Sequence, residues 1–145
     1  MPSLPAGPKS RPRLLIIDDD DLMRAALHRL LSLKYDVDSV GGGVQALERL
    51  QRDPSYALIV CDVLMPNMAG PDLLAHLEKR APELARRMVF ITALLPGDAR
   101  GEFLARQPLG CLHKPFELDA LFRWVEHALR SLREAWTPAA VATCP

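Results

Sequence analysis

The sequence has no excess charge of either sign: 18 basic and 18 acidic residues cancel, and the basic ones are scattered along the chain. That excludes the basic stripe of a nucleic-acid binder, and pairs such as Arg86-Arg87 read as solvated surface. No segment approaches the roughly 20 consecutive apolar residues that a membrane span needs. The opening residues carry Pro2, Pro5, Pro8 and Pro12 and lack the apolar core of a signal peptide. A soluble, cytoplasmic protein is expected. Cysteine is scarce, and Cys61, Cys111 and Cys144 form no C-x-x-C pair, which leaves no zinc or dithiol motif. The first two fall in predicted strands as small hydrophobes, the third in the terminal tail.

What the chain does have is a large apolar fraction, 49% of 145 residues, enough for one sizeable core. It is organised around Leu58-Ile59-Val60-Cys61-Asp62, an apolar run that ends in a carboxylate and breaks into Met65-Pro66-Asn67-Met68-Ala69-Gly70. Such a run reads as a strand buried on both faces, with Asp62 delivered to its carboxyl end.

The rest alternates strand and helix patterns. Arg13-Leu14-Leu15-Ile16-Ile17 is a second buried run, ending in Asp18-Asp19-Asp20-Asp21. Leu22, Met23, Ala26, Leu27, Leu30 and Leu31 then follow at helical spacing, with Asp20 and Asp21 suited to capping that helix. Tyr35 to Val40 alternates weakly, as an edge strand does, and Gly41-Gly42-Gly43 leads into a short helix carrying Val44, Leu47 and Leu50. Gly70-Pro71 starts a third helix with Leu73, Leu74 and Leu77. Met88 to Thr92 is a fourth strand, followed by a loop at Leu94-Leu95-Pro96-Gly97 and a weak helix from Asp98 to Arg106. Cys111-Leu112-His113 is a short fifth strand running into Lys114-Pro115. The last helix carries Leu118, Leu121, Phe122, Val125, Leu129 and Leu132 and reaches Trp136.

Five strand-then-helix units imply an α/β fold, a parallel sheet with five helices on its two faces. The carboxyl ends of its strands then present Asp18, Asp19, Asp62, Thr92 and Lys114 at one rim, where open α/β sheets bind ligands. Clustered carboxylates repel unless a cation sits among them, and magnesium suits a few carboxylates plus phosphate oxygens. With that charge neutralised, an aspartate can attack a phosphoryl group while Lys114 and Thr92 hold its oxygens.

The pieces Ile16-Ile17-Asp18-Asp19, Asp62 with Met65-Pro66-Asn67-Met68, Thr92-Ala93 and Lys114-Pro115-Phe116 come in order, each at the end of a strand. On these pieces the chain resembles a receiver domain of the two-component response regulators, from Arg13 to about Arg133. The resemblance implies a flavodoxin-like, doubly wound sheet of order 2-1-3-4-5. It implies that Asp62 accepts phosphate from a histidine kinase or histidine phosphotransfer protein. It further implies that Asp18, Asp19, Asp62 and the Leu64 backbone carbonyl hold Mg2+, that Lys114 pairs with the phosphoryl group, and that Thr92 moves to bond it. The Lys114-Pro115 bond is expected to be cis. No turnover enzyme is implied, only self-catalysed transfer to Asp62 and its slow reversal by water. Slowness follows from Leu64 and Leu94, which would flank the phosphoryl group and cannot orient an attacking water.

Cys111 stands where the family usually has an aromatic residue, so the switching output is expected to differ while the chemistry survives. Residues 1–12 are expected to be a disordered arm, 13–136 the receiver and 137–145 a flexible tail. Without an output domain, the protein would act through protein contacts, as a single-domain regulator or as the receiver of a hybrid kinase. Any exposed part of the last helix with Trp124 or Trp136 would suit a homodimer or partner contact. Three other readings fit less. Gly41-x-Gly43-x-x-Ala46 has dinucleotide-fingerprint spacing but follows the second strand, and a phosphohydrolase would want an acid where Leu64 stands. A receiver fold kept purely as a protein-binding module is the third.

Overall fold

The protein is described from a computed structural model, over residues 11–93, 98 and 100–135. The Leu94 to Gly97 loop, Trp136, the tail at 137–145 and all of the arm except residues 11 and 12 lie outside the described residues. Strands β1 (Arg13–Ile17), β2 (Asp36–Val40), β3 (Leu58–Asp62), β4 (Met88–Thr92) and β5 (Cys111–His113) form one sheet. Its order is β2-β1-β3-β4-β5, with every neighbouring pair parallel. Helices α1 (Asp21–Leu31), α2 (Gly43–Arg52), α3 (Gly70–Arg80), α4 (Pro82–Ala85), α5 (Gly101–Ala105) and α6 (Leu118–Ala135) complete it.

Alternation along each strand divides the core in two. Leu14, Ile16, Leu58, Val60, Val89 and Ile91 pack with Leu27 and Leu31 of α1 and Leu121, Val125 and Ala128 of α6. Leu15, Ile17, Ile59, Cys61, Met88 and Phe90 face the other way, onto Ala46, Leu50, Leu73, Leu77, Leu84 and Leu104. The central strands are therefore apolar throughout because both of their faces are covered. The weakly alternating β2 lies at an edge, as its pattern predicts.

Three expectations need correction. Six helices, not five, are present among the described residues. Pro82 has no N–H to continue the α3 ladder, so the chain leaves helical geometry at Ala81 (φ −149°, ψ 70°). Pro82 then serves as the first residue of a new turn that buries Leu84 and Ala85. The apolar stripes are also narrower than their spacing suggests: Leu22 is 84%, Val44 50% and Leu118 44% exposed. Each lies in the first two residues of a helix that begins at the sheet's carboxyl rim, where no strand remains to cover it. Farther along, α5 is shorter than the predicted helix over 98–106, opening after an Asp98 whose carboxylate accepts the Arg100 N–H (2.9 Å).

Candidate functional site

β1 and β3 are neighbours, paired as far as Ile16 with Val60 and Ile17 with Cys61. One step further, the same register sets Asp18 beside Asp62, so two carboxylates far apart in sequence meet at the rim. Asp18 is 1% and Asp62 8% exposed. Asp19 is exposed beside them, and one carboxylate oxygen from each of the three lies within 4.8 Å of the others. β5 brings in the cation: Lys114 Nζ stands 3.6 Å from Asp18 Oδ2 and 3.8 Å from Asp62 Oδ2. Thr92, fully buried, ends the adjoining strand, and its carbonyl accepts the Lys114 N–H at 2.8 Å. The sequence-predicted residues 18, 19, 62 and 114 thus converge on one pocket, with Thr92 tied to it through the backbone of Lys114. Leu64, 40% exposed, contributes a backbone N–H that donates to the Asp62 carboxylate.

The electrostatics are those of a crowded acid. Burial, then the charge of Asp18, raises the Asp62 carboxyl to about 6, against the opposing pull of Lys114 and the Leu64 N–H. A site that holds carboxylates this close, with one ammonium between two of them, is short of positive charge. A hard divalent ion with oxygen ligands fits that deficit and donor set. The Lys114-Pro115 peptide bond is cis, as expected.

Backbone and side-chain supports fix the loops. Asp20, the N-cap of α1, accepts from the N–H groups of Leu22 (3.0 Å) and Met23 (3.2 Å), its predicted role. Asn67 adopts a left-handed φ of 72° in the loop after β3, a conformation asparagine tolerates. Sequence reasoning missed two residues here. Arg24 donates to the Asp18 carbonyl (2.8 Å) and pairs with Asp21 (2.7 Å), holding the acidic loop from α1. Gly70 is more than a helix start: a Cβ there would lie 2.8 Å from the Asp62 carbonyl oxygen and 3.0 Å from the Phe90 ring. The only sequence signal for it was a glycine at a first helical position. Gly43, in the dinucleotide-like spacing, has a packing reason instead, since a Cβ would strike Met68 Sδ at 2.8 Å.

Cys61 and Cys111 are free thiols whose ionisation burial suppresses, first among the causes for each. Cys111, half-buried, belongs to the core face where Phe90 and Phe103 meet edge to face at 5.2 Å between centroids.

Comparison with known proteins agrees with this geometry. A family model described as the response regulator receiver domain matches residues 14–126. The response regulator receiver protein CpdR of Brucella abortus is 32% identical over 116 residues, covering 80% of this chain and 94% of that protein. Larger proteins match over the same region. The sensor kinase CckA of Brucella abortus is 31% identical over 80% of this chain, and the response regulator MprA of Mycobacterium leprae 34% identical over 81%. This chain spans 12% of the former's length and 51% of the latter's. Among solved structures, a sensor protein from Polaromonas superposes with a TM-score of 0.69 at 30% identity, covering 83% of this chain and 98% of that one. A receiver domain protein from Clostridium thermocellum gives 0.73 at 21% identity, covering 86% and 98%, a likeness of fold. On the extent of the family match and the near full-length similarity to CpdR, this chain belongs to the response regulator receiver domain family.

Proposed function

We propose that this receiver is a working phosphoacceptor of a two-component relay, with Asp62 as the acceptor and Asp18, Asp19, Asp62 and the Leu64 carbonyl as the ligands of Mg2+. Receiver domains form a signalling module, and the reading assigns no turnover chemistry beyond transfer to and loss from Asp62. The observation that carries it is the convergence of three carboxylates within 4.8 Å with Lys114 Nζ 3.6 Å and 3.8 Å from two of them. Mg2+ held by those ligands would neutralise the clustered carboxylates and the charge of an incoming phosphoryl group. An Asp62 carboxylate oxygen attacks the phosphorus of a phosphohistidine. The P–N bond breaks, its electron pair returns to the imidazole, and an acyl phosphate remains on Asp62. Lys114 offsets the charge gathered on the phosphoryl oxygens, and the Thr92 hydroxyl bonds one of them afterwards. Leu64 offers no group to orient water, which supports slow hydrolysis; its predicted companion Leu94 lies outside the described residues.

The partner we assign is a histidine kinase or histidine phosphotransfer protein. Leu22, Val44, Leu64 and Leu118 are large exposed apolar side chains, all following strand ends at the carboxyl rim. A protein docking over the pocket would cover them. The receiver unit is taken as 13–136, and the cytoplasmic placement belongs to the same proposal; among the described residues no helix is long and apolar enough to cross a membrane. The experiment is acyl-phosphate labelling with a phosphorylated kinase or acetyl phosphate and Mg2+. Wild type is expected to label and to keep the label for longer than minutes after the donor is removed, while Asp62→Asn stays unlabelled. A folded wild type that incorporates nothing overturns the reading in favour of a phosphorylation-independent binding module. The half-buried Cys111, in place of the usual aromatic, favours that second reading.

A further inference from the structure

A second concave site lies at the opposite, amino-terminal rim of the sheet, with a cavity of about 390 Å3. Its floor is apolar: Ala57, just ahead of β3, and Leu129 and Leu132 on the last turns of α6. Its rim carries three arginines, Arg86 and Arg87 ahead of β4 and Arg133 near the end of α6, and one acid, Glu83. The pair Arg86-Arg87 reads in the sequence as solvated surface, but Arg87 is half-buried and donates to the Tyr56 carbonyl at 3.0 Å. Arg86 is paired with Glu83. Among the described residues, no carboxylate is paired with either Arg87 or Arg133.

The last turn of a helix favours one basic side chain for its dipole, which accounts for Arg133 alone. It does not account for a second guanidinium fixed on a backbone carbonyl beside the same apolar floor. A guanidinium has five N–H donors in a planar fork, so Arg87 retains donors after its bond to Tyr56. An apolar cleft of several hundred Å3 with a few convergent charged groups has the form of a small-molecule site. We propose that this groove binds a small organic anion, its apolar tail on Ala57, Leu129 and Leu132 and its carboxylate or phosphate head held by Arg87 and Arg133. Strand β3, five residues long, separates the groove from Asp62 by about 16 Å at the usual rise of a strand. The groove is therefore a separate site from the acid pocket, and the proposal does not rest on whether Asp62 accepts phosphate.

The test uses the full chain and four probes, decanoate, decyl phosphate, decanol and acetate, followed by backbone amide shifts in NMR titrations. Saturable binding of decanoate and decyl phosphate is expected, with shifts concentrated at 55–57, 84–87 and 129–133 and unchanged in Asp62→Asn. Decanol and acetate are expected to bind at least tenfold more weakly, because each lacks one half of the recognition. The double variant Arg87→Gln, Arg133→Gln is expected to lose at least tenfold in affinity. Arg133→Glu, which among the described residues breaks no hydrogen bond or ion pair, is expected to lose as much and guards against a folding defect from Arg87. No binding, equal affinity for decanol, shifts centred on the acid pocket, or full affinity in Arg133→Glu would each overturn the proposal.

Discussion

Asp62 is held where water is scarce and a second carboxylate stands alongside, so its ionisation opposes folding while no cation is bound. Its carboxyl is raised to about 6, above the ordinary aspartate range that applies in the unfolded chain. Between those two values the folded protein binds the extra proton, and stability rises as pH falls from neutrality toward 5. Asp62→Asn removes the charge and is expected to stabilise the metal-free protein at pH 7 by about 1 kcal/mol after allowing for solvent screening. Urea unfolding of both proteins in chelator at pH 7 and pH 5 checks it, and the gain should shrink at the lower pH. Arg24 acts one step further out, on the Asp18 carbonyl. If Asp18 and Asp19 hold Mg2+ as proposed, Arg24→Ala is expected to weaken its binding about tenfold, the low end for groups that orient metal ligands. Calorimetric titration with Mg2+ measures this.

At the scale of the element, β3 and α3 meet with no space to spare. The backbone of Gly70 donates to the Val63 carbonyl at 2.9 Å, and its Cα leaves a missing Cβ aimed at the Asp62 carbonyl. Gly70→Ala must push against backbone, not a flexible side-chain tip, and is expected to cost about 1–3 kcal/mol by overpacking. Denaturant midpoints at constant slope would report it, and the displaced Asp62 should also slow labelling. At the other end of the sheet, Arg13 joins three elements. It pairs with Asp38 on β2 (2.9 Å) and with Asp53 after α2 (2.7 Å), and its guanidinium lies 4.4 Å from the centre of the Tyr56 ring. Tyr56, 1% exposed, donates its hydroxyl to Asp38 at 2.6 Å. The Ser55 hydroxyl and then Arg13 hold the Asp53 carboxyl down at about 2. A carboxyl depressed on folding adds stability above its unfolded value near 4, and that stability is lost as pH falls from about 4 through 2. Asp53→Asn is expected to flatten the acid limb of the stability profile in this window and leave the profile above pH 5 parallel to wild type. Thermal melts at half-unit pH steps decide it.

For the whole molecule, the sheet sorts its chemistry by end. Acids, lysine and exposed leucines occupy the carboxyl rim, while the Arg13 network and the arginine-rimmed groove occupy the amino rim. Relief of charge at one rim stabilises the entire cooperative unit, because β1, β3 and β5 all contribute to that pocket. Mg2+ at a hundredfold excess over its Kd adds about 2.7 kcal/mol to a single-site protein. For a domain of this size that is roughly 5–10 °C in Tm. Calorimetry with and without Mg2+ should show the rise in wild type, and it should be smaller in Asp62→Asn, which lacks one proposed ligand charge.

Much of this was written in the chain. Continuous apolar runs ending in Asp18, Asp62 and Thr92, and a short strand ahead of Lys114, determined the strands and which residues stand at their carboxyl ends. Parallel pairing of all five strands brought those ends to one rim. What the sequence could not determine was anything that depends on which atoms approach across the fold. Leu22, Val44 and Leu118 keep helical spacing whether or not a strand lies beneath them, so only the folded sheet, ending short of those turns, decided that they are exposed. The close approach at Gly70, the hold of Arg24 on Asp18, the restart of a helix at Pro82 and the pairing of Arg87 with a Tyr56 carbonyl are contacts between distant or turn-related groups. Periodicity records one element's preference for a buried face, and contacts between elements exist only after packing has chosen their distances.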